Sequence, residues 1–290
     1  LYKAGVIPAD IYSGLGEKMG GWFETAAVLL TVVFAALIGR RFSRLKTPYW
    51  GWGYVVSLSL IVFLLISAHL SFRLSLPILA WATVGRARFV ILGIAVALGS
   101  NTLIGRLTKP VERIIVISMT LCIILWASIM PFLVPALIKN ELTNLKTRFD
   151  SDNICLQCTD YTCGPAAAVT ALRRFGLPAQ EGELAILSHT SPITGTLPWD
   201  LYKAIQNRYP SAGIDCRLRR FDSVNQLRDA DATLVVVNDS FLVDHCVVVL
   251  DVDDIFITIA DPAVGRYKLT HKTFENIWRF YGITLKHSPS

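Results

Sequence analysis

The residues best suited to chemistry sit where the polar half of the chain begins, in the run Gln157-Cys158-Thr159-Asp160-Tyr161-Thr162-Cys163-Gly164-Pro165-Ala166-Ala167. Ala168, Ala171, Leu172 and Phe175 recur at three- and four-residue spacing, and Gly176 with Pro178 supplies a stop. The spacing predicts a helix from Pro165 to Phe175 with Cys163 at its start. A thiol there feels the positive end of the helix dipole and unpaired backbone N–H groups, which favour the thiolate that attacks carbonyls. A free cysteine is also often just a small buried hydrophobe.

A nucleophile needs a base. Of the five histidines, His69 lies in an apolar stretch and His287 in the tail, whereas His245 opens Asp244-His245-Cys246-Val247-Val248-Val249-Leu250, a β-branched run that reads as a buried strand. Ile255-Phe256-Ile257-Thr258-Ile259-Ala260 reads as the next strand and ends at Asp261-Pro262, a turn signal carrying a carboxylate. Antiparallel pairing of the two strands could bring Asp261 beside His245. Asp244 is the poorer partner, because adjacent strand residues point to opposite faces. A core histidine and a turn-forming Asp-Pro are the ordinary readings of these residues taken singly.

Taken together and in order, these motifs, with Gly195-Thr196 between them, resemble the C39 family of papain-like cysteine peptidases. That family includes the bacteriocin-processing domains that cut leader peptides after a double glycine. The resemblance covers about the last 140 residues. It implies Cys163 as nucleophile, His245 as general base, Asp261 as the residue that orients the imidazole, and Gln157 as a side-chain donor to the oxyanion. Chemically, thiolate and imidazolium would attack a peptide carbonyl and then protonate the leaving amine. An oxyanion donor is typically worth about 3 kcal/mol. Some relatives of such domains have lost the cysteine and only bind peptides; here all four positions are filled. The expected partner is a peptide or protein substrate, with no cofactor and no metal. The alternative is a peptide-binding or export-accessory module that does not cut.

Composition describes what must hold these residues. Of 290 residues, 53% are hydrophobic and only 17% charged, with mean hydropathy +0.48. Charges are sparse in the first half and common in the second, which predicts an apolar membrane region and then a globular domain. The net charge of +6 does not point to nucleic acid, because much of the excess flanks apolar spans and sets topology. Four spans are predicted in the bilayer: Trp22 to Gly39, Gly53 to Phe72, Phe89 to Gly105, and Ile114 to about Ile138, with Pro131 and Pro135 kinking the last. Leu74 to Gly85 reads as an interfacial or tilted lead-in, and Gly93, Ala97 and Gly99 as a close helix contact. His69 and Glu24 read as interfacial side chains reaching water, with no paired intramembrane charges.

The loops 40–49 and 106–113 hold seven basic residues in 18 positions, against eight in 52 on the other side. That density predicts that these loops are cytoplasmic and that the C-terminal domain faces outward. No GxxxxGK[ST] phosphate loop is present, although C39 domains often precede an ATP-powered transporter on the same chain. The expectation is therefore a separate exporter, if any.

The predicted organisation is a membrane domain (1–138), a polar linker (139–152) and a C39-like domain (153–290): an α-helical transmembrane region of about four spans followed by an α+β papain-like cysteine peptidase domain. In the last part, helices are predicted at Glu181 to Ser188 and Leu197 to Tyr209, and a short one around Phe274 to Trp278. Strands are predicted at Ile214 to Arg220, Thr233 to Val237, Leu242 to Val252, Ile255 to Ile259, Gly265 to Leu269 and Gly282 to Lys286. Cys155, Cys158, Cys216 and Cys246 could form two disulfides in an oxidising compartment, though spacing assigns no pairs. Cys155-Leu156-Gln157-Cys158 has the spacing of a redox or half-zinc motif, without the second half that zinc needs.

Overall fold

The computed structural model describes residues 21–70, 86–210, 212–240 and 243–287. The chain divides into two compact units, one within Ala9–Ala136 and one over Leu137–Ser290.

The first unit is helical: α1 (Gly21–Ser43), α2 (Trp52–Leu70), α3 (Ala87–Ile104) and α4 (Pro110–Ile124), the last continuing through a π-helical turn (Leu125–Ile129) into α5 (Met130–Leu137). Four stretches, Phe23–Ser43, Tyr49–Ser67, Ala87–Ile104 and Pro110–Leu137, are long and apolar enough to cross a membrane. Small residues let α3 approach its neighbours. An added Cβ on Gly99 would lie 2.6 Å from the Ser57 hydroxyl, and one on Gly93 would lie 2.8 Å from that of Ser128. Ser57 donates across the same seam to the Ala95 carbonyl at 2.6 Å. The π-turn sits directly ahead of Pro131 and Pro135, whose rings and missing N–H groups do not fit an unbroken i→i−4 ladder.

Glu24 does not simply reach for water: Arg86 Nη1 donates to its Oε2 at 2.7 Å, and the same guanidinium lies 5.3 Å from the Phe132 ring centroid. The two charges stand at the edges of different spans, and only packing brings them together. The His69 side chain and the lead-in at 74–85 lie outside the described residues.

The second unit is α+β. Its segment 139–152, read as a linker, contains helix α6 (Lys139–Thr143) and strand β1 (Arg148–Phe149), which pairs with β2 (Cys155–Leu156); Leu142 is buried at 1% exposure. Three helices follow: α7 (Cys163–Arg173), α8 (Glu181–Leu187) and α9 (Pro198–Arg208). Next come β3 (Ile214–Arg220), a 3₁₀ turn (Val224–Asp229), β4 (Ala232–Ser240), β5 (Val243–Val252), β6 (Phe256–Asp261), β7 (Gly265–Thr270), helix α10 (His271–Ile277) and β8 (Trp278–His287). The six-stranded sheet is antiparallel throughout, in the order β3-β8-β4-β5-β6-β7. The final strand therefore returns to the interior of the sheet.

Strand alternation builds the core. Val235, Val237, Val247, Val249, Ile257 and Ile259 pack with Phe221, Phe274 and Trp278. Every residue of α7 from Gly164 to Leu172 is buried, so this helix is covered all round rather than amphipathic. It begins at Cys163, two residues earlier than the periodicity predicts, because a proline in the first turn withholds only an N–H that has no partner inside the helix.

Candidate active site

Two structural frames converge on Cys163. The first is the start of α7, where Cys163 is the first helical residue, so its backbone N–H is one of the four without a carbonyl inside the helix. The preceding turn is tied down by buried Thr162, whose hydroxyl accepts the Thr159 N–H at 3.1 Å and lies 3.0 Å from the Thr159 hydroxyl. Behind the turn sits the Gly195-Thr196 loop: an added Cβ on Gly164 would lie 2.7 Å from Thr196 Cβ. Thr196 is held in turn by a hydroxyl contact of 2.7 Å to Thr190.

The second frame is the β5–β6–β7 edge of the sheet. Val248 pairs with Ala260 and Val249 with Ile259; continuing that register places Asp261 across from Val247, two residues from His245 on the same face. The His245 and Asp261 side chains meet on this diagonal, with Nε2 2.7 Å from Oδ1. Cys163 lies near enough to the imidazole to contribute to its pKa. Burial works against protonation of His245. The Asp261 hydrogen bond, the Cys163 thiol and the two nearby negative charges outweigh it, and the imidazole pKa is pushed up to about 10.

Asp261 is 6% exposed and does not rest on His245 alone. Its Oδ1 also accepts the Ala263 N–H at 2.8 Å, and its Oδ2 accepts the Tyr267 hydroxyl at 3.2 Å. Burial alone would raise the carboxyl pKa; the His245, Ala263 and Tyr267 bonds and the His245 charge bring it below its ordinary value. Asp244 turns away, as alternation predicts, and accepts Arg279 Nε at 2.8 Å.

Gln157 enters from β2. Its backbone N–H donates to the Pro262 carbonyl at 2.9 Å, while its amide oxygen is buried with no partner among the described residues. The adjacent Cys158 N–H donates to Oε1 of the fully buried Glu181 at 2.8 Å. Thus the segment bearing Gln157 is pinned from two sides.

The C39 domain holds four further thiols, and all six cysteines of the chain are free. Burial first, then the Glu181 charge, pushes Cys155 up to about 12. Burial and a hydrogen bond with Glu181 take Cys158 to about 11. Burial carries Cys216 to about 12 and, with the charges of Cys163 and Asp261, drives Cys246 well above its ordinary value. No three His, Cys, Asp or Glu side chains come together to hold a metal among the described residues.

The arrangement holds an imidazole on a buried carboxylate and leaves a helix-start backbone N–H beside a thiol. The family model of the peptidase C39 family matches residues 151–290. An uncharacterized protein of Methanothermobacter marburgensis is 35% identical over 138 residues, which are 48% of this chain and 91% of that protein. This chain belongs to the peptidase C39 family. A second uncharacterized relative, from Methanothermobacter thermautotrophicus, is 31% identical over 138 residues, again 48% of this chain and 91% of the relative.

Among solved structures, the C39 domain is similar to the peptidase domain of Streptococcus ComA, a bifunctional ABC transporter of a quorum-sensing pathway. That match has 23% identity, covers 47% of this chain and 96% of that one, and has a TM-score of 0.40. It is also similar to a double-glycine-motif protease from an AMS/PCAT transporter, solved with a leader peptide, at 18% identity, 49% and 93% coverage and a TM-score of 0.40.

The four residues singled out from the sequence therefore lie in the C39 domain, with His245 hydrogen-bonded to Asp261, Cys163 at the start of α7, and Gln157 tied to the Asp261-Pro262 turn through its backbone. Tyr267 and Glu181 escape sequence reading. Tyr267 reaches Asp261 only through the β6–β7 register, in which it pairs with Ile259. Glu181, at the start of α8, looks like a solvated first-turn acid until folding buries it.

Proposed function

We propose that the chain is a membrane-anchored cysteine peptidase in which Cys163 attacks the peptide carbonyl, His245 serves as general base and acid, and Asp261 orients the imidazole. The observation that carries this reading is the His245–Asp261 hydrogen bond near Cys163 at a helix start, with Cys163 close enough to help raise the His245 pKa. The Cys163 thiolate adds to the carbonyl carbon, and the oxygen takes up the electron pair facing the Cys163 N–H and the Gln157 amide. Collapse expels the amine, which takes its proton from His245. Water, deprotonated by His245, then adds to the thioester and releases the carboxylate and the thiolate.

The substrate we infer is a peptide, with leader peptides cut after a double glycine as the first class to try, by analogy with the leader-bound relative. The four apolar helices would span the bilayer and anchor the domain. Basic residues at 40–49 and 106–113 favour a cytoplasmic position for those loops and an outward-facing peptidase. An exporter on a separate chain fits this arrangement.

The test is cleavage of a mixed peptide library, including double-glycine leaders, by the purified chain in detergent, with sites read by mass spectrometry. Cys163→Ala should lower turnover by at least roughly 10⁴-fold. A folded wild-type chain that leaves the library intact, or a Cys163→Ala chain that cuts like wild type, contradicts the reading.

A further inference from the structure

At one end of the helical unit, the turn after α1 and the turn after α3 come together. Arg106 Nη2 donates to the Leu45 carbonyl at 2.6 Å, its guanidinium lies 5.1 Å from the Trp50 ring centroid, and Gly105 leaves no room for a side chain beside the Ser43 hydroxyl. This juxtaposition gathers the basic residues of both turns on one surface. Between residues 25 and 113 the sequence contains one acid, Glu112, and it faces Lys109 at 3.3 Å. Arg106 and Arg113 are engaged by the Leu45 and Leu107 carbonyls. Arg40, Arg41, Arg44 and Lys46 are exposed and have no acidic partner among the described residues.

Basic residues beside a span would by themselves serve topology. A second, independent feature lies against them: an apolar pocket of about 580 Å³ lined by Phe42, Leu45, Lys46, Tyr49 and Trp52. It sits between the end of one membrane-length stretch, at Ser43, and the start of the next, at Tyr49. That is the height at which aromatic residues meet lipid headgroups. Tyr49 and Trp52 are 61% and 56% exposed, so the pocket opens outward. Its walls suit hydrocarbon, and the ammonium at its edge suits a phosphate.

We propose that this pocket binds an anionic phospholipid of the surrounding bilayer. The upper acyl chain would lie against Phe42, Leu45, Tyr49 and Trp52, with the phosphate on Lys46 and the net negative charge balanced by the neighbouring Arg44. A zwitterionic lipid would fill the same pocket without matching the unbalanced positive charge. Soluble phosphate would match the charge but not the apolar walls. The proposal rests on the reading that the four helices span a bilayer.

The full chain should be reconstituted into vesicles of phosphatidylcholine with a minority of phosphatidylglycerol, checked by flotation, and its retained lipid measured by native mass spectrometry. Wild type should keep phosphatidylglycerol in roughly tenfold preference to phosphatidylcholine, and Arg44→Gln with Lys46→Gln should abolish that preference. Leu45→Ser should reduce retention of both lipids. Lys109→Gln, which changes the charge of the same surface away from the pocket, should leave the preference intact. Equal retention of the two lipids by an inserted wild-type chain, or a loss of preference in Lys109→Gln matching the double variant, overturns this site alone. A chain that floats with no vesicles overturns the spanning reading and the site with it.

Discussion

Gln157 donates its backbone N–H to the carbonyl of Pro262 at 2.9 Å, so the segment carrying the proposed oxyanion donor is fastened to the turn that carries Asp261. The bond uses only main-chain atoms. It leaves the amide side chain free of that duty, and the side chain can be removed without loosening the turn. Gln157→Ala should therefore lower kcat about 10²-fold with KM and melting temperature nearly unchanged. A matching rise in KM would mean that the amide binds substrate rather than the transition state.

The His245–Asp261 pair has a definite pH signature. With His245 pushed up to about 10, protonated histidine stabilises the fold fully below its ordinary value near 6.5, and this contribution is lost as pH rises through about 10. Asp261, held below its ordinary value, works in the opposite sense, contributing above that value and losing its effect as pH falls. Asp261→Asn removes the charge and should move the alkaline limit of kcat/KM from near 10 toward neutrality. It should also flatten the alkaline decline in melting temperature. An unmoved limit would separate Asp261 from the titration.

Among the described residues the Tyr267 hydroxyl donates to Asp261 Oδ2 at 3.2 Å and to neither Cys163 nor His245. Burial and the Asp261 carboxylate push its own pKa up to about 12, so it remains a donor at neutral pH. Tyr267→Phe deletes the donor and little else. It should cost about 1 kcal/mol of stability. It should also let the Asp261 pKa rise, moving the acid unfolding midpoint and the acid limb of kcat to higher pH. A purely packing role would shift melting temperature and leave both pH midpoints in place.

Gly164 packs its α-carbon against Thr196. In Gly164→Ala the new methyl would stand 2.7 Å from Thr196 Cβ, so the loop or the helix start must move. The expected loss is about 1–3 kcal/mol by thermal melting, with a fall in kcat because Cys163 is the adjacent residue. An alanine variant as stable and active as wild type would show that the loop yields freely.

Alkylation should single out one thiol. Cys155, Cys158 and Cys216 are pushed up to about 12, 11 and 12, and Cys246 is also raised, so all four remain protonated at pH 8. Iodoacetamide should modify Cys163 first, as read by peptide mass spectrometry, and His245→Ala should slow that reaction. Uniform labelling of the domain's cysteines would count against an activated Cys163.

Local information determined much of this protein. Apolar runs long enough to cross a bilayer are visible as runs, because the requirement is a length of contiguous hydrophobicity. The β-branched strands, the Asp-Pro turn and the Cys163 helix follow from two- and three-to-four-residue periods and from turn residues, and the ordered Gln157, Cys163, His245 and Asp261 carried the family resemblance. What folding decided is everything that depends on which element lies beside which. Nothing in the spacing places β8 between β3 and β4, buries Glu181 under Cys158, or joins Glu24 to Arg86. Nor does it set the β5–β6–β7 register that gives Asp261 both His245 and Tyr267 as neighbours. A one-residue slip in either pairing would turn those side chains to the opposite face while leaving every local preference satisfied. The sequence names the chemical groups; the sheet register brings His245 and Asp261 within hydrogen-bonding distance.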